Sequence, residues 1–154
     1  MAEFEFDETV SLAAAPEVAW DLMTDVPRLT RWISVVHDAR ELEPLRHYTA
    51  VIQDKVGMFK LRAELDITLT GVDEGKRVVA HAEGQDRQVG SRITVDAEVL
   101  LEAAEDGTAT DVRVHGRYAI TGNAATLGSS AIRRKGDKVV KEFFQHLGSE
   151  TRAA

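Results

Sequence analysis

The sequence predicts an α+β domain in which one long C-terminal helix covers the apolar face of an antiparallel sheet of about seven strands. Segments that alternate apolar and polar residues, the period of a strand with one wet face, recur from residue 3 to residue 120. Two short helical segments follow the first strand, and the end of the chain changes to helical spacing. One long amphipathic helix must bury its apolar stripe against the sheet.

The first strand is predicted at residues 3–12, where apolar residues alternate with polar, mostly acidic ones. Pro16 suits the first turn of a helix, because that position needs no backbone donor. Asp25 can cap a second helix, with Pro27 near its start. The segment 15–33, APEVAWDLMTDVPRLTRWI, is therefore expected to form two short helices with a bend between them.

Six further strands with short connections are expected to form a meander. The alternation is weakest in the first of these strands and clearest in the third. Glu105-Asp106-Gly107 is a hairpin turn between the last two. The predicted strands are residues 36–42, 47–55, 59–69, 76–85, 91–101 and 110–120.

The final helix is predicted to begin after an N-cap at Asn123 and to end at Gly148. Its apolar residues lie three, four or seven positions apart, which gives one apolar stripe. They are Leu127, Ala131, Ile132, Val139, Val140, Phe143, Phe144 and Leu147. This stripe is the surface that the sheet must cover.

The 154 residues fit one domain, so residues 1–154 are expected to form a single unit. The chain has no cysteine, which excludes disulfides, thiolate catalysis and cysteine-based zinc sites. Its net charge of −7 argues against nucleic-acid binding. The start MAEFEFDE does not resemble a signal peptide, and the longest charge-free run, residues 118–132, is too short and polar to span a membrane. We therefore expect a cytoplasmic protein.

Five segments carry a resemblance to a known superfamily. They are AAPEVAWDLMTD at 14–25, RWI at 31–33, HYTAVIQDKVGMFKLRAELDITL at 47–69, GNAATLGSSAI at 122–132 and KEFF at 141–144. Together with the order of elements over residues 4–147, they resemble the START/Bet v 1-like (SRPBCC) superfamily. Within it, the chain is similar to the G-subunit proteins of carbon monoxide dehydrogenase and to polyketide cyclase-like sequences.

The resemblance implies a helix-grip fold, in which a curved antiparallel sheet wraps around the long C-terminal helix. The space between sheet and helix is commonly a cavity for an apolar ligand in this superfamily. The two short helices would close one end of it as a lid. By resemblance, Trp20 packs into the core and Trp32 lies near the mouth. The mouth would be bounded by the segment around Trp32 and the loop after Lys55.

Strand alternation and the resemblance together predict which side chains face this cavity. The expected ligand-binding residues are Trp32, Phe59, Leu61, Ile93, Val95, Tyr118, Ile132 and Val139. The hydroxyl of Tyr118 could orient a carbonyl or quinone oxygen. Glu8, Asp54 and His37 are the candidate polar groups of the cavity. A carboxylate held there would have a raised pKa and could act as an acid or base, whereas one near a strand end would reach water.

No GxGxxG, Walker, GxSxG or HExxH motif occurs, so no catalytic, cofactor or metal site is predicted. The segment IRRKGDKVVK at 132–141 carries one acid and five basic residues: Arg133, Arg134, Lys135, Lys138 and Lys141. It is either the solvated face of a helix or a surface that docks an acidic protein or the anionic inner face of the membrane.

Three functional hypotheses remain open. The first is a non-enzymatic protein that binds a lipid, quinone or polyketide-like molecule. The resemblance to the G-subunit proteins implies that it would be an accessory protein of a carbon monoxide dehydrogenase-type molybdenum hydroxylase. The alternative is an aromatase/cyclase-type enzyme that acts on a polyketide with a cavity acid or base. The third is an interaction module whose interior is filled by its own side chains.

Overall fold

The computed structural model describes residues 2–56, 59–86, 88, 90–122 and 129–152. It confirms the predicted α+β architecture and the predicted order of elements. The elements are β1 (Ala2–Leu12), α1 (Pro16–Met23), α2 (Val26–Thr30), β2 (Val36–Glu43), β3 (His47–Val56), β4 (Phe59–Asp73), β5 (Arg77–Asp86), β6 (Ser91–Ala103), β7 (Thr110–Gly122) and α3 (Ser129–Arg152).

In the described part of the chain, the strands form one antiparallel sheet in the order β1-β7-β6-β5-β4-β3-β2. The strands from β2 to β7 follow one another as neighbours, as expected for a meander. The helices α1 and α2 carry the chain from β1 at one edge to β2 at the other. The sheet grips α3 on its concave side, which is the helix-grip fold.

Glycines allow neighbouring strands to approach closely in the middle of the sheet. A Cβ atom at Gly116 would lie 2.0 Å from the carbonyl oxygen of Asp96 on β6. A Cβ atom at Gly84 would lie 2.6 Å from the carbonyl oxygen of Glu64 on β4. No side chain fits at such distances, so these two positions permit local bending of β7 and β5.

The broken segment after β1 folds into two short helices, as predicted. Pro16 occupies the start of α1, and the Asp25 side chain caps α2 by accepting a hydrogen bond from the Arg28 backbone N–H at 3.3 Å. The expected core position of Trp20 is confirmed, because its side chain is 8% exposed and packs with Tyr48 and other apolar residues of the sheet.

The C-terminal helix extends further than predicted. Gly148 does not end α3, which continues to Arg152. A Cβ atom at Gly148 would lie 3.9 Å from a Val10 methyl group, so this glycine is a buried position of the helix and not its cap. The predicted N-cap Asn123 and the apolar Leu127 lie outside the described residues.

Helix α3 is not equally close to all strands. Among the described residues, it approaches the sheet most closely along β1 and stands farther from the other strands. At its C-terminal end, Leu147 is fully buried against Leu12, Val112 and the apolar face of α1. The helix therefore leans on one edge of the sheet.

Candidate functional site

The middle of the concave face is an apolar surface built by strands alone. Three of its residues are buried, Leu61, Ala63 and Ile93, and they pack with the half-buried Val95. No described side chain of α3 belongs to this cluster. The structure thus brings together three of the residues predicted to line the cavity, while the side chain of a fourth, Phe59, lies outside the described set.

The predicted contributions of α3 to the cavity lie on the side of the helix that faces the sheet. Ile132 is 5% exposed and packs with Phe4, Tyr118 and Ile120. Val139 is half-buried two turns further along the helix. Ile132 therefore closes one end of the space over β1 and β7, and Val139 lies nearer the middle of the helix.

Trp32 links the lid segment to the C-terminal half of α3. Its ring centroid lies 6.0 Å from that of Phe143. It also stacks on His146, with centroids 6.4 Å apart and ring planes 10° from parallel. Close by, the Ser34 hydroxyl donates a hydrogen bond of 3.2 Å to Glu142. Trp32 is half-buried, so its ring packs against the helix and also reaches solvent.

Tyr118 points from β7 toward the helix. Its ring lies 5.2 Å from that of Phe4, and a Cβ atom at Gly136 would lie 1.8 Å from its hydroxyl oxygen. Among the described residues, this buried hydroxyl has no hydrogen-bond partner. Burial, reinforced by the nearby Asp137, raises the pKa of Tyr118 and keeps the phenol protonated. Gly136 is therefore the residue that makes room for this ring beneath α3.

Asp54 faces the interior, as predicted, but it is paired. Its carboxylate lies 3.2 Å from the Lys135 ammonium, and the two side chains are 17% and 36% exposed. This contact corrects two expectations, because Asp54 is not an isolated cavity carboxylate and Lys135 is not on the outward basic face. The helical spacing explains the geometry: Lys135 lies three residues after Ile132 and four before Val139, on the same side of the helix.

The other two polar candidates are exposed. Glu8 shares the concave face of β1 with Phe6 and Val10, but it lies at the sheet edge beside α3 and reaches water. His37 lies on the edge strand β2, beside an irregularity where Asp38 has a φ of 52°. The prediction of His37 as a cavity group is therefore corrected, because the disrupted edge leaves its side chain in solvent.

The remaining basic residues of α3 differ in their surroundings. The Arg133 guanidinium lies 5.5 Å from the centroid of the Phe4 ring, a cation–π distance. Arg134, Lys138 and Lys141 are exposed, and none has an ion-pair partner within the described part of the chain. The outward basic surface is therefore smaller than the sequence predicts.

A buried carboxylate was missed by the sequence analysis. Asp86, at the end of β5, is 4% exposed and accepts hydrogen bonds from the backbone N–H groups of Arg62 at 2.7 Å and Gln88 at 2.9 Å. It ties the end of β5 to β4 and to the following turn. Its position before a glycine-containing, polar segment resembles an ordinary turn aspartate, so the sequence carries no signal for its burial.

The convex face carries histidine–carboxylate pairs. His81 lies 2.6 Å from Asp96 and 3.3 Å from Glu83, His115 lies 2.8 Å from Glu98, and His47 contacts Asp66. The hydrogen bonds to Asp96 and Glu83 raise the pKa of His81. No group of three or more metal-ligating side chains was found among the described residues.

Among the helices in the described ranges, none is both long and apolar enough to cross a membrane.

Solved structures similar to this one share its fold over nearly the whole chain. A conserved protein from Geobacillus kaustophilus has a TM-score of 0.79 at 15% identity, with 97% of this chain and 96% of that chain covered. A START superfamily protein from Mycobacterium smegmatis has a TM-score of 0.70 at 9% identity, covering 97% of each chain. The Zhui aromatase/cyclase from Streptomyces sp. R1128 has a TM-score of 0.69 at 12% identity, covering 97% of this chain and 94% of that one.

The comparison with curated protein sequences finds no match. A family profile, in contrast, matches residues 9–151 and so includes every element from the end of β1 to the end of α3. It describes CoxG, the G subunit of carbon monoxide dehydrogenase. The match covers the lid helices, the concave wall and the ion-paired helix alike, and the chain therefore belongs to the CoxG family.

Proposed function

We propose that the protein binds an apolar small molecule in the space between the sheet and α3. One observation carries this proposal: the half-buried Val95 packs on the concave face with the buried strand residues Leu61 and Ile93, while α3 approaches the sheet most closely at the edge strand β1. A ligand that covers the remaining exposed apolar area gains about 25 cal/mol per Å². Such a concave apolar wall with few polar groups is typical of small-molecule sites.

The polar groups at the border of this space narrow the chemistry of the ligand. Asp54 and Lys135 compensate each other, so neither supplies a free charge to the interior. A largely apolar molecule with few polar atoms, such as a lipid, a quinone or a polyketide-like compound, suits this lining best. Trp32 and Phe143 would bound the space on the lid side.

Membership of the CoxG family supports an accessory role beside a carbon monoxide dehydrogenase-type molybdenum hydroxylase. In this role the protein would present its ligand to the enzyme and not transform it. Arg134, Lys138 and Lys141 form the exposed basic surface that could dock an acidic partner or the anionic inner face of the membrane. A peripheral position at that membrane would bring an apolar ligand within reach.

A second candidate function is an aromatase/cyclase activity. The similarity in fold to the Zhui aromatase/cyclase favours it, and Asp54 and Lys135 are the ionisable pair nearest the interior. This activity needs one of these groups to exchange a proton with the substrate. If it exists, Asp54→Asn would abolish turnover of a polyketide substrate, whereas a binding protein would keep its ligand affinity.

The binding proposal is tested with a thermal-shift and fluorescence titration against quinones, fatty acids and aromatic polyketides. A ligand at 100 times its Kd should stabilise the fold by about 2.7 kcal/mol. Ligand binding should quench tryptophan fluorescence, and Trp32→Phe should remove most of this signal while Trp20→Phe should not.

A matched pair of variants locates the site. Val95→Trp places a large ring on the half-buried concave wall and should abolish ligand binding by filling the space. Val72→Trp adds the same ring on β4 at a position that is 43% exposed, and it should leave binding unchanged. The proposal fails if no compound raises the melting temperature, or if the two variants affect binding equally.

A further inference from the structure

A second concavity lies on the opposite flank of α3 from the lid. It is a cleft of about 740 Å³ between β1 and the outer side of the helix. Phe6 and Val10 line it from β1, and Val140 and Phe144 line it from α3. All four side chains are half-buried, so the cleft has an apolar floor that remains open to solvent.

This cleft lies on a different side of α3 from the lid, and Tyr118 is the predicted ligand-binding residue that also lines it. Trp32 and Ser34 contact α3 through Glu142, Phe143 and His146, whereas the cleft is lined by Val140 and Phe144 and by no residue of α1 or α2. The two groups of residues lie on different sides of the helix, because consecutive helical residues are 100° apart. A molecule in the cleft therefore meets the outer flank of α3.

The cleft is bordered by a free strand edge. β1 is the end strand of the sheet and pairs with β7 on one side only within the described part of the chain. An edge strand presents a row of unpaired backbone N–H and C=O groups that can pair with another extended segment. Such a segment would direct alternate side chains toward the floor of the cleft and toward the convex face.

The border of the cleft is acidic. Glu5, Glu8 and Asp137 line it, and none of these carboxylates has an ion-pair partner among the described residues. Asp7 also lines the cleft, but both of its oxygens are bound by Arg113, at 2.9 and 2.6 Å. Lys141 is the one basic residue in the lining. The cleft therefore carries uncompensated negative charge around an apolar floor.

We propose that this cleft is a docking site for an extended segment of a partner protein that alternates apolar and basic residues. The segment adds as a further strand beside β1. Its apolar side chains cover Val140 and Phe144, and its basic side chains, on the convex side, pair with Glu5, while Glu8 and Asp137 add negative charge at the border. A second copy of this chain does not fit, because its own β1 would bring acidic residues against the same acidic border.

The test uses the full chain and a fluorescently labelled peptide of alternating lysine and valine, blocked at both ends. Binding is followed by fluorescence anisotropy, and the backbone amides of β1 are followed by hydrogen exchange. We expect saturable binding and slower exchange in β1. The same peptide N-methylated along its central backbone keeps its charge but cannot form strand hydrogen bonds, so it should bind weakly. A peptide with all lysines in one block and all valines in another should also bind weakly.

Matched protein variants separate the cleft from general charge attraction. The triple variant Glu5→Gln, Glu8→Gln and Asp137→Asn should weaken binding about tenfold, through the loss of one exposed ion pair and of two further negative charges at the border of the cleft. A control variant removes the same charge from distant exposed turns: Asp73→Asn, Glu74→Gln and Glu105→Gln. It should bind the peptide as the unmodified protein does.

Three outcomes would overturn the proposal. Equal weakening by the two triple variants would show that the peptide senses only the net charge. Unchanged exchange in β1, or equal binding of the N-methylated peptide, would exclude strand addition. Complete displacement of the peptide by dodecyltrimethylammonium, together with unchanged exchange in β1, would make the cleft a site for small cationic amphiphiles.

Discussion

The Lys135 ammonium lies 3.2 Å from the Asp54 carboxylate, so an ion pair joins the first half of α3 to β3. This contact spans the part of the interior where the helix stands away from the sheet. Only 17% of the Asp54 side chain is exposed, so the carboxylate has lost much of its hydration and depends on Lys135 for compensation.

Removing the lysine should therefore destabilise the fold. Lys135→Met keeps most of the apolar stem but leaves Asp54 without its partner, and we expect the free energy of unfolding to fall by about 1–2 kcal/mol. Lys138→Met, at an exposed position of the same helix, should change it by less than about 0.5 kcal/mol. Urea denaturation measures both, and equal effects would show that the ion pair contributes nothing.

The close approach between Gly136 and Tyr118 gives a second prediction. Gly136→Ala should destabilise the protein by about 1–3 kcal/mol, because the new methyl group would lie 1.8 Å from the Tyr118 hydroxyl. Gly148→Ala is the control, since its new methyl group meets Val10 at an ordinary 3.9 Å. Alanine is the better helix former by about 1 kcal/mol, so Gly148→Ala should be neutral or stabilising. Thermal unfolding measures the melting temperature of both variants. Equal changes in the two would contradict the close approach between Gly136 and Tyr118.

The two tyrosine hydroxyls should respond differently to removal. Tyr118→Phe deletes a buried hydroxyl without a described partner, so the free energy of unfolding should stay the same or rise by about 1 kcal/mol. The Tyr48 hydroxyl accepts a hydrogen bond from the Leu45 N–H at 2.9 Å, where Leu45 has a φ of 57°. Tyr48→Phe should therefore cost about 1–2 kcal/mol.

Chemical denaturation of the two variants decides this prediction. A clear loss of stability in Tyr118→Phe would mean that its hydroxyl has a partner after all.

The histidine–carboxylate pairs on the convex face predict that the stability of the fold depends on pH. Hydrogen bonds to Asp96 and Glu83 raise the pKa of His81 above its ordinary value of 6.5. The folded state binds the His81 proton more tightly than the unfolded chain does. The contribution of protonated His81 to the free energy of unfolding is therefore complete below pH 6.5. It is lost as the pH rises through the raised folded-state pKa.

The measurement is the free energy of unfolding from about pH 6 upward, because the His81 contribution begins to decline above its ordinary pKa of 6.5. His81→Gln should make the profile flatter over this range. His37→Gln is the control, at an exposed position outside any ion pair of the described residues. Its free energy of unfolding should vary with pH as that of the unmodified protein does. A profile that is identical in all three proteins would show that His81 is not linked to folding.

Strand alternation predicted most of the fold because burial of one face imposes a period of two on each strand. The run from Phe59 to Leu69 was recognised in this way, and the structure extends that strand to Asp73 through a bulge before Gly71. The end of α3 was missed because a glycine usually terminates a helix. At Gly148 the packing of the helix against Val10 outweighs that tendency.

The candidate site was less predictable than the fold. Leu61, Ile93 and Val95 were placed together correctly, because they lie on the same face of the sheet, on two strands separated by β5. The pairing of Lys135 with Asp54 was not foreseen, although the helical spacing from Ile132 contained the signal. The open edge beside β1 depends on which strand ends the sheet and on where α3 leans, and neither is encoded in a local pattern.

The pairing of Ala2 with Ile120 has a consequence for the order of assembly. The ribosome makes β1 long before β7, with which it pairs, so within the described part of the chain β1 has no strand neighbour until β7 has left the exit tunnel. The hairpins from β2 to β6 join strands that are close in sequence and can form earlier. We therefore expect the meander to form first during synthesis, and the N-terminal strand to join it late, together with the helix that it supports.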